Sequence, residues 1–150
     1  MAQKTFVDGD VLTASDINTY LSGEGGAWTS WTPTVTQSGS VTVTNTRSRY
    51  ARYGRMIVAE FDLQATASGS AGSGVLVSLP VTAASVSSVN GVGSILDGGT
   101  GYYVGVWQAF STTTVQLIAH AQTGAVGGTP SFALASGDFI RGTVTYEAAS

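Results

Sequence analysis

The apolar and polar positions change their rhythm once along the chain, after Gly26. Beyond that point short runs alternate with period two, the pattern of a strand with one buried face. Arg55 to Thr66 is the clearest run. Ile57, Ala59, Phe61, Leu63 and Ala65 share one face, and Glu60, Asp62 and Gln64 share the other. Trp31 to Thr36 and Val41 to Thr46 are short and rich in Thr and Val; with the loop residues Gln37-Ser38-Gly39-Ser40 between them they predict a hairpin. Val75 to Leu79 resumes the alternation until Pro80 stops it, and Val81 to Asn90 carries little signal. Val92 to Leu96 and Tyr102 to Gln108 flank Asp97-Gly98-Gly99-Thr100-Gly101, a connector suited to a second hairpin. In Thr113 to Ala121, Val115, Leu117 and Ala119 point one way; in Phe139 to Glu147, Ile140, Val144 and Tyr146 do. About eight or nine short strands with turns between them predict an all-β fold, an antiparallel β-sandwich of jelly-roll type, with an open barrel as second choice.

Before Gly26 the grammar is helical. Thr13 suits an N-cap, Asp16 stands three residues on as in a capping box, Leu12 and Ile17 make a hydrophobic staple, and Gly23 ends the turn. Ile17, Tyr20 and Leu21 fall on one stripe. A helix of about nine residues is too short to stand alone, so this stripe has to dock on something. Gly23-Glu24-Gly25-Gly26 then reads as a flexible linker. The expected organisation is an N-terminal attachment arm over 1–26 and a β-domain over 27–150.

Composition sharpens this picture. Charged residues make up 10% of the 150 residues, against about 25% in an average domain, and Gly occurs 20 times. So neutral a surface suits a protein held in a stable assembly better than a free enzyme. A net charge of −3 provides no positive field for nucleic acid or anionic lipid. With no cysteine, disulfides and thiolate metal sites are excluded. The first residues lack the apolar run of a signal peptide and no stretch reaches the length of a membrane helix, so synthesis in the cytoplasm without export or membrane insertion is expected.

Candidate chemistry is sparse. His120 is the only histidine and has no G-x-S-x-G elbow to serve, so a solvated strand histidine is expected rather than a general base. Asp8/Asp10 and Glu60/Asp62 are read as a turn and a wet strand face; neither a metal nor a cofactor is expected. Glu60 and Asp62 would stand about 7 Å apart, a spacing that every strand with acids at i and i+2 shares and that does not make a glycosidase. The Gly69 to Gly74 loop lacks the lysine and helix of a phosphate cradle. Arg47-Ser48-Arg49-Tyr50-Ala51-Arg52-Tyr53-Gly54-Arg55 holds four of the five arginines. Arg47, Arg49, Arg52 and the aromatic Trp107 are candidate surface or ligand contacts, a host glycan among them; the competing reading pairs the arginines with Glu60 and Asp62 and places the large aromatics in the core or at subunit contacts.

Two segments carry a resemblance. Phe6-Val7-Asp8-Gly9-Asp10-Val11-Leu12-Thr13-Ala14-Ser15-Asp16-Ile17-Asn18-Thr19-Tyr20-Leu21 resembles the F-x-D-G-x-V-L-T-A-S-D-x-N-x-Y-L opening of bacteriophage virion proteins, especially minor tail and fibre-like proteins of phages infecting actinobacteria. Trp31-Thr32-Pro33, Tyr50 to Arg55 and Leu79-Pro80 are similar to the looser W-T-P, Y-x-R-x-G and L-P pattern of β-rich modules in tail fibres. The resemblance implies a non-enzymatic structural protein of the virion, commonly a homotrimer, whose arm docks on other virion proteins through Phe6, Leu12, Ile17, Tyr20 and Leu21. Many relatives continue into long shafts, and this chain stops at Ser150. A tail-associated module for host attachment is the leading expectation. A capsid decoration protein that stabilises the head, and a carbohydrate-binding module, are the alternatives.

Overall fold

A computed structural model describes residues 7–11, 13 and 27–149. Apart from Thr13, the expected helix lies outside the described residues, as do Phe6, Leu12, Ile17, Tyr20 and Leu21. The Asp8/Asp10 stretch is a turn: Gly9 takes φ +92°, and the Val7 amide donates to Asp10 Oδ2 at 3.1 Å.

Ten strands follow: β1 Thr29–Ser30, β2 Val35–Thr36, β3 Ser40–Val41, β4 Val43–Tyr53, β5 Met56–Ala65, β6 Leu76–Ser78, β7 Asn90–Asp97, β8 Gly101–Ala109, β9 Thr114–Ala119 and β10 Phe139–Glu147. All pairings between them are antiparallel. Two boundaries differ from the sequence reading. Trp31 to Thr36 is not one strand but a crossing between β1 and β2, because Pro33 has no amide to give to a ladder. There the Trp31 amide turns to the Ser48 carbonyl, and the Thr34 amide to Ser78 Oγ. The second is Val41 to Thr46: it breaks at Thr42, and its later part runs on through the arginine-rich residues as β4, the longest strand, which ends before the tight turn at Gly54.

The sheet order is β1-β4-β5-β10-β7-β8-β9-β6-β2-β3. Only Thr42 separates β3, at one end of that order, from β4, near the other. A single residue spans less than 4 Å, so the sheet has to curl until its ends meet. Its inner face then encloses one core, in which Val35 and Val77 from one end lie with Ile57, Leu63 and Ile140 from the other. The alternation read from β5, β9 and β10 is the alternation observed: every residue expected on the apolar face is buried.

Across the middle of the inner face, Phe61, Gly142, Gly93, Gly105 and Ala119 are successive register partners on β5, β10, β7, β8 and β9. The three glycines leave a trough, and Trp107 fills it. Its ring has no exposed surface, meets Phe61 edge-on at 5.1 Å between centroids, and donates from Nε1 to the Arg141 carbonyl at 3.0 Å. A Cβ at Gly93 or Gly142 would collide with that indole. Trp107 therefore offers no ring to a ligand: satisfying its one polar atom on β10 and burying its large apolar area put it in the core.

Substitution of Gly142 by Ala is expected to displace Trp107 and cost about 1–3 kcal/mol, the usual range for overpacking. Chemical denaturation together with near-ultraviolet circular dichroism of the indole measures it. A change within 0.5 kcal/mol with an unaltered Trp signal would contradict the tight fit.

Candidate functional site: an arginine–carboxylate cluster on the outer face

The outer face of the sheet is built by the residues that alternate with the core. Reading across it, Arg49, Glu60, Thr143, Val92, Val106 and Ile118 are successive register partners on β4, β5, β10, β7, β8 and β9. The neighbouring row is Arg47, Asp62, Arg141, Ser94 and Val104. Both rows begin charged and end apolar.

In the charged half, Glu60 Oε1 receives the Nε of Arg47 at 3.1 Å and the Nε of Arg49 at 2.5 Å, while Asp62 Oδ1 receives Arg141 Nε at 3.0 Å. The Arg49 guanidinium lies 4.3 Å from the ring centroid of Trp28, and that of Arg141 lies 4.4 Å from the ring centroid of Phe139. Three guanidinium groups thus share two carboxylates, held by strand pairing and by aromatic faces beneath them. Arg47, Glu60, Asp62, Arg141, Thr143 and Val92 line a shallow recess of about 280 Å³ between the rows. Its donors and acceptors are mutually neutralised, which suits contact with polar, uncharged groups better than with a phosphate track.

The expected contacts divide as follows. Arg47 and Arg49 belong to the cluster. Arg52 is turned to the β4–β5 hairpin, donating from Nε to the Gly54 carbonyl at 2.7 Å. Trp107 is in the core, and His120 is exposed just past the end of β9. Arg141 and Thr143 went unnoticed in the sequence. Their outward parity in β10 was legible, but that β10 lies beside β5 was not. Among the described residues no group of three or more His, Asp or Glu side chains is placed to hold a metal ion, and no helix is long and apolar enough to cross a membrane.

Protein-family models, curated proteins and solved structures were compared with the chain, and none of them matches it. The residues of the W-T-P, Y-x-R-x-G and L-P pattern can still be placed. Trp31, Tyr50 and Leu79 pack against the core, Pro33 is buried, and Arg52 and Gly54 form the hairpin turn, with Gly54 at φ +62°. The pattern marks packing and turn positions of the sheet rather than the cluster.

A second pair of acids lies at one end of the sheet. Asp138 is buried and accepts the amides of Gly98 at 2.7 Å and Ala135 at 2.8 Å. Burial and the adjacent Asp138 carboxylate raise the pKa of Asp97 above the ordinary aspartate value, against a smaller lowering by a hydrogen bond from Thr100. The folded state therefore holds the Asp97 proton more tightly than the unfolded state does. Its ionisation costs nothing below the unfolded pKa, and the cost grows as pH rises through the window up to the folded one.

Two outcomes follow for measurement. Asp97→Asn is expected to raise the melting temperature at neutral pH, with the gain vanishing below about pH 3, where both states are protonated; a gain independent of pH would contradict the linkage. Glu60→Gln is expected to cost about 1 kcal/mol, as for a partly exposed ion pair, and high salt should shrink the difference. Denaturant titrations at low and high salt measure it.

Proposed function

We propose that the chain is a non-enzymatic structural protein of a bacteriophage particle, a tail-associated module that docks by its N-terminal arm and displays the β-domain for contact. The observation that carries this reading is the Phe6 to Leu21 segment, dense in the residues of the virion-protein opening. The β-domain adds support of a different kind. Its outer face has surface chemistry for binding, a neutralised arginine–carboxylate recess beside an apolar stretch. A rigid curled sheet is suited to present such a face, since the row of register partners fixes where each side chain stands. The curl itself is read as the jelly-roll-type sandwich that the turn spacing leads one to expect, supported by the single core shared by strands from both ends of the sheet.

In this reading the arm buries Phe6, Leu12, Ile17, Tyr20 and Leu21 on the particle, and many copies per particle offset weak single contacts. The partners are other virion proteins, in the tail or in the capsid, with a homotrimer as the unit of display.

Mass spectrometry of purified particles should find the chain, and antibody labelling in electron micrographs should place it on the tail. Labelling of the head would replace the tail reading by shell decoration. Absence from purified particles, with the chain present in infected lysate, would sink the virion reading. Deleting residues 1–23 should abolish incorporation while leaving a folded β-domain with the circular dichroism of a sheet; incorporation of the truncated chain would refute the arm's role.

A further inference from the structure

Among the described residues nothing covers the apolar half of the outer face. Val92 on β7 and Tyr102, Val104 and Val106 on β8 are exposed by 67%, 57%, 57% and 49%. Val92, Val106 and Ile118 stand side by side as register partners on three adjacent strands, and Val104 is two residues from Val106 on the same face. Single exposed valines are ordinary, whereas exposed valines side by side on two neighbouring strands, continued by the half-buried Ile118 on a third, form the kind of patch, a few hundred Å² across, that marks a protein contact.

Charge points to the occupant. Asp97 is the only Asp, Glu, Lys or Arg between Leu63 and Gly137. Strands β7, β8 and β9 therefore turn no charged side chain outward: Asp97, at the end of β7, shares the inward parity of Ile95 and is buried. Bringing two like surfaces together normally sets like charges against each other. Here that repulsion is absent, and nothing is left to select a charged partner. The polar Asn90, Gln108 and Gln116 flank the apolar row as register partners and supply a rim, and the recess beside Val92 offers a hollow for a protruding side chain. An apolar centre with a polar rim is the anatomy of a standard interface, whose share per partner is about 800 Å²; the apolar row supplies the centre, and the flanking outer-face residues extend it toward that size.

We infer that the outward face of β7, β8 and β9 is an interface between copies of this chain. The assignment is independent of the virion reading, because it is tested on the isolated full-length chain.

Sedimentation and light scattering across a dilution series give the mass. The wild type is expected at a multiple of 15.2 kDa. A Val104→Glu, Val106→Glu double variant should shift to the monomer with unchanged β-sheet circular dichroism, because each site is open to solvent in the single chain. Thr44→Glu, on exposed β4, should leave the oligomer intact. Val92→Lys, at the most exposed position of the row, is the second variant if the double one fails to fold. A wild type that is monomeric throughout overturns the inference and leaves the face to a different partner. So does an oligomer whose mass survives charged residues at Val92, or at Val104 and Val106, in folded protein.

Discussion

Trp107 lies across a row of three glycines, and the placement of nearly everything else depends on that contact. Gly142, Gly93 and Gly105 sit opposite one another on β10, β7 and β8, so three central strands pass with no side chain between them and the core. The indole takes the space of the side chains missing at Gly93 and Gly142, and at Gly105 the backbone of β9 closes in instead. Its single polar atom is satisfied by the Arg141 carbonyl of β10, two strands away from its own. The contact therefore pins register as well as filling volume. A slip of one residue in β10 would put Arg141 or Thr143 where Gly142 must be, and would turn its whole buried set outward. The same register sets Arg141 opposite Asp62 and Val92 beside Thr143, so the outer face inherits its order from the packing of the inner one.

The loops are held by a different device. A curled sheet with short terminal strands leaves long connections whose amides and carbonyls have no ladder to join. Three buried polar side chains answer that need. Gln37 donates to the carbonyls of Ser73 and Phe132 and accepts from the Leu134 amide, joining the β2–β3 turn to two distant loops. Asp138 accepts from Gly98 and Ala135. Tyr146, its phenol pushed up to about 12 by burial, both donates to and accepts from the backbone of Val81. Each is one side chain doing for a loop what pairing does for a strand, and removing any of them would leave buried backbone groups unpaired.

Much of the fold was legible because alternation is a local signal. β5, β9 and β10 declared their inward residues, and Asp97 to Gly101 and Gln37 to Ser40 declared their turns. What was not legible depends on which strands are neighbours. The split of Trp31 to Thr36 follows from Pro33, a local residue, but where each half goes depends on β4 and β6. Arg47 and Arg49 were recognisable as an unusual cluster, with pairing to Glu60 and Asp62 as one of two readings, and the β4–β5 pairing decides for it. Arg141 comes from far along the chain, and only the β5–β10 pairing brings it to Asp62. Trp107 misled for a related reason. Its partners are glycines, which give no pattern signal, so an aromatic in an alternating strand looked as suited to a surface as to a core.

The scarcity of charge also means something different once the sheet is in view. The charges are segregated: three arginines pair with two acids on β4, β5 and β10, leaving one positive charge in excess, while β7 to β9 present Val, Tyr and Ile outward. A free sheet normally protects such a face with outward lysines or glutamates, at the expense of any tight contact there. Here the protective charges are gathered one to three strands away, where they can border an interface without being buried in it. Burying an ion pair gains little and often costs, whereas leaving it at a rim costs almost nothing and still discriminates against a wrongly charged partner. A neutral face bordered by paired charges is thus suited to meeting its own copy: the centre supplies the attraction and the border limits which surfaces can approach it.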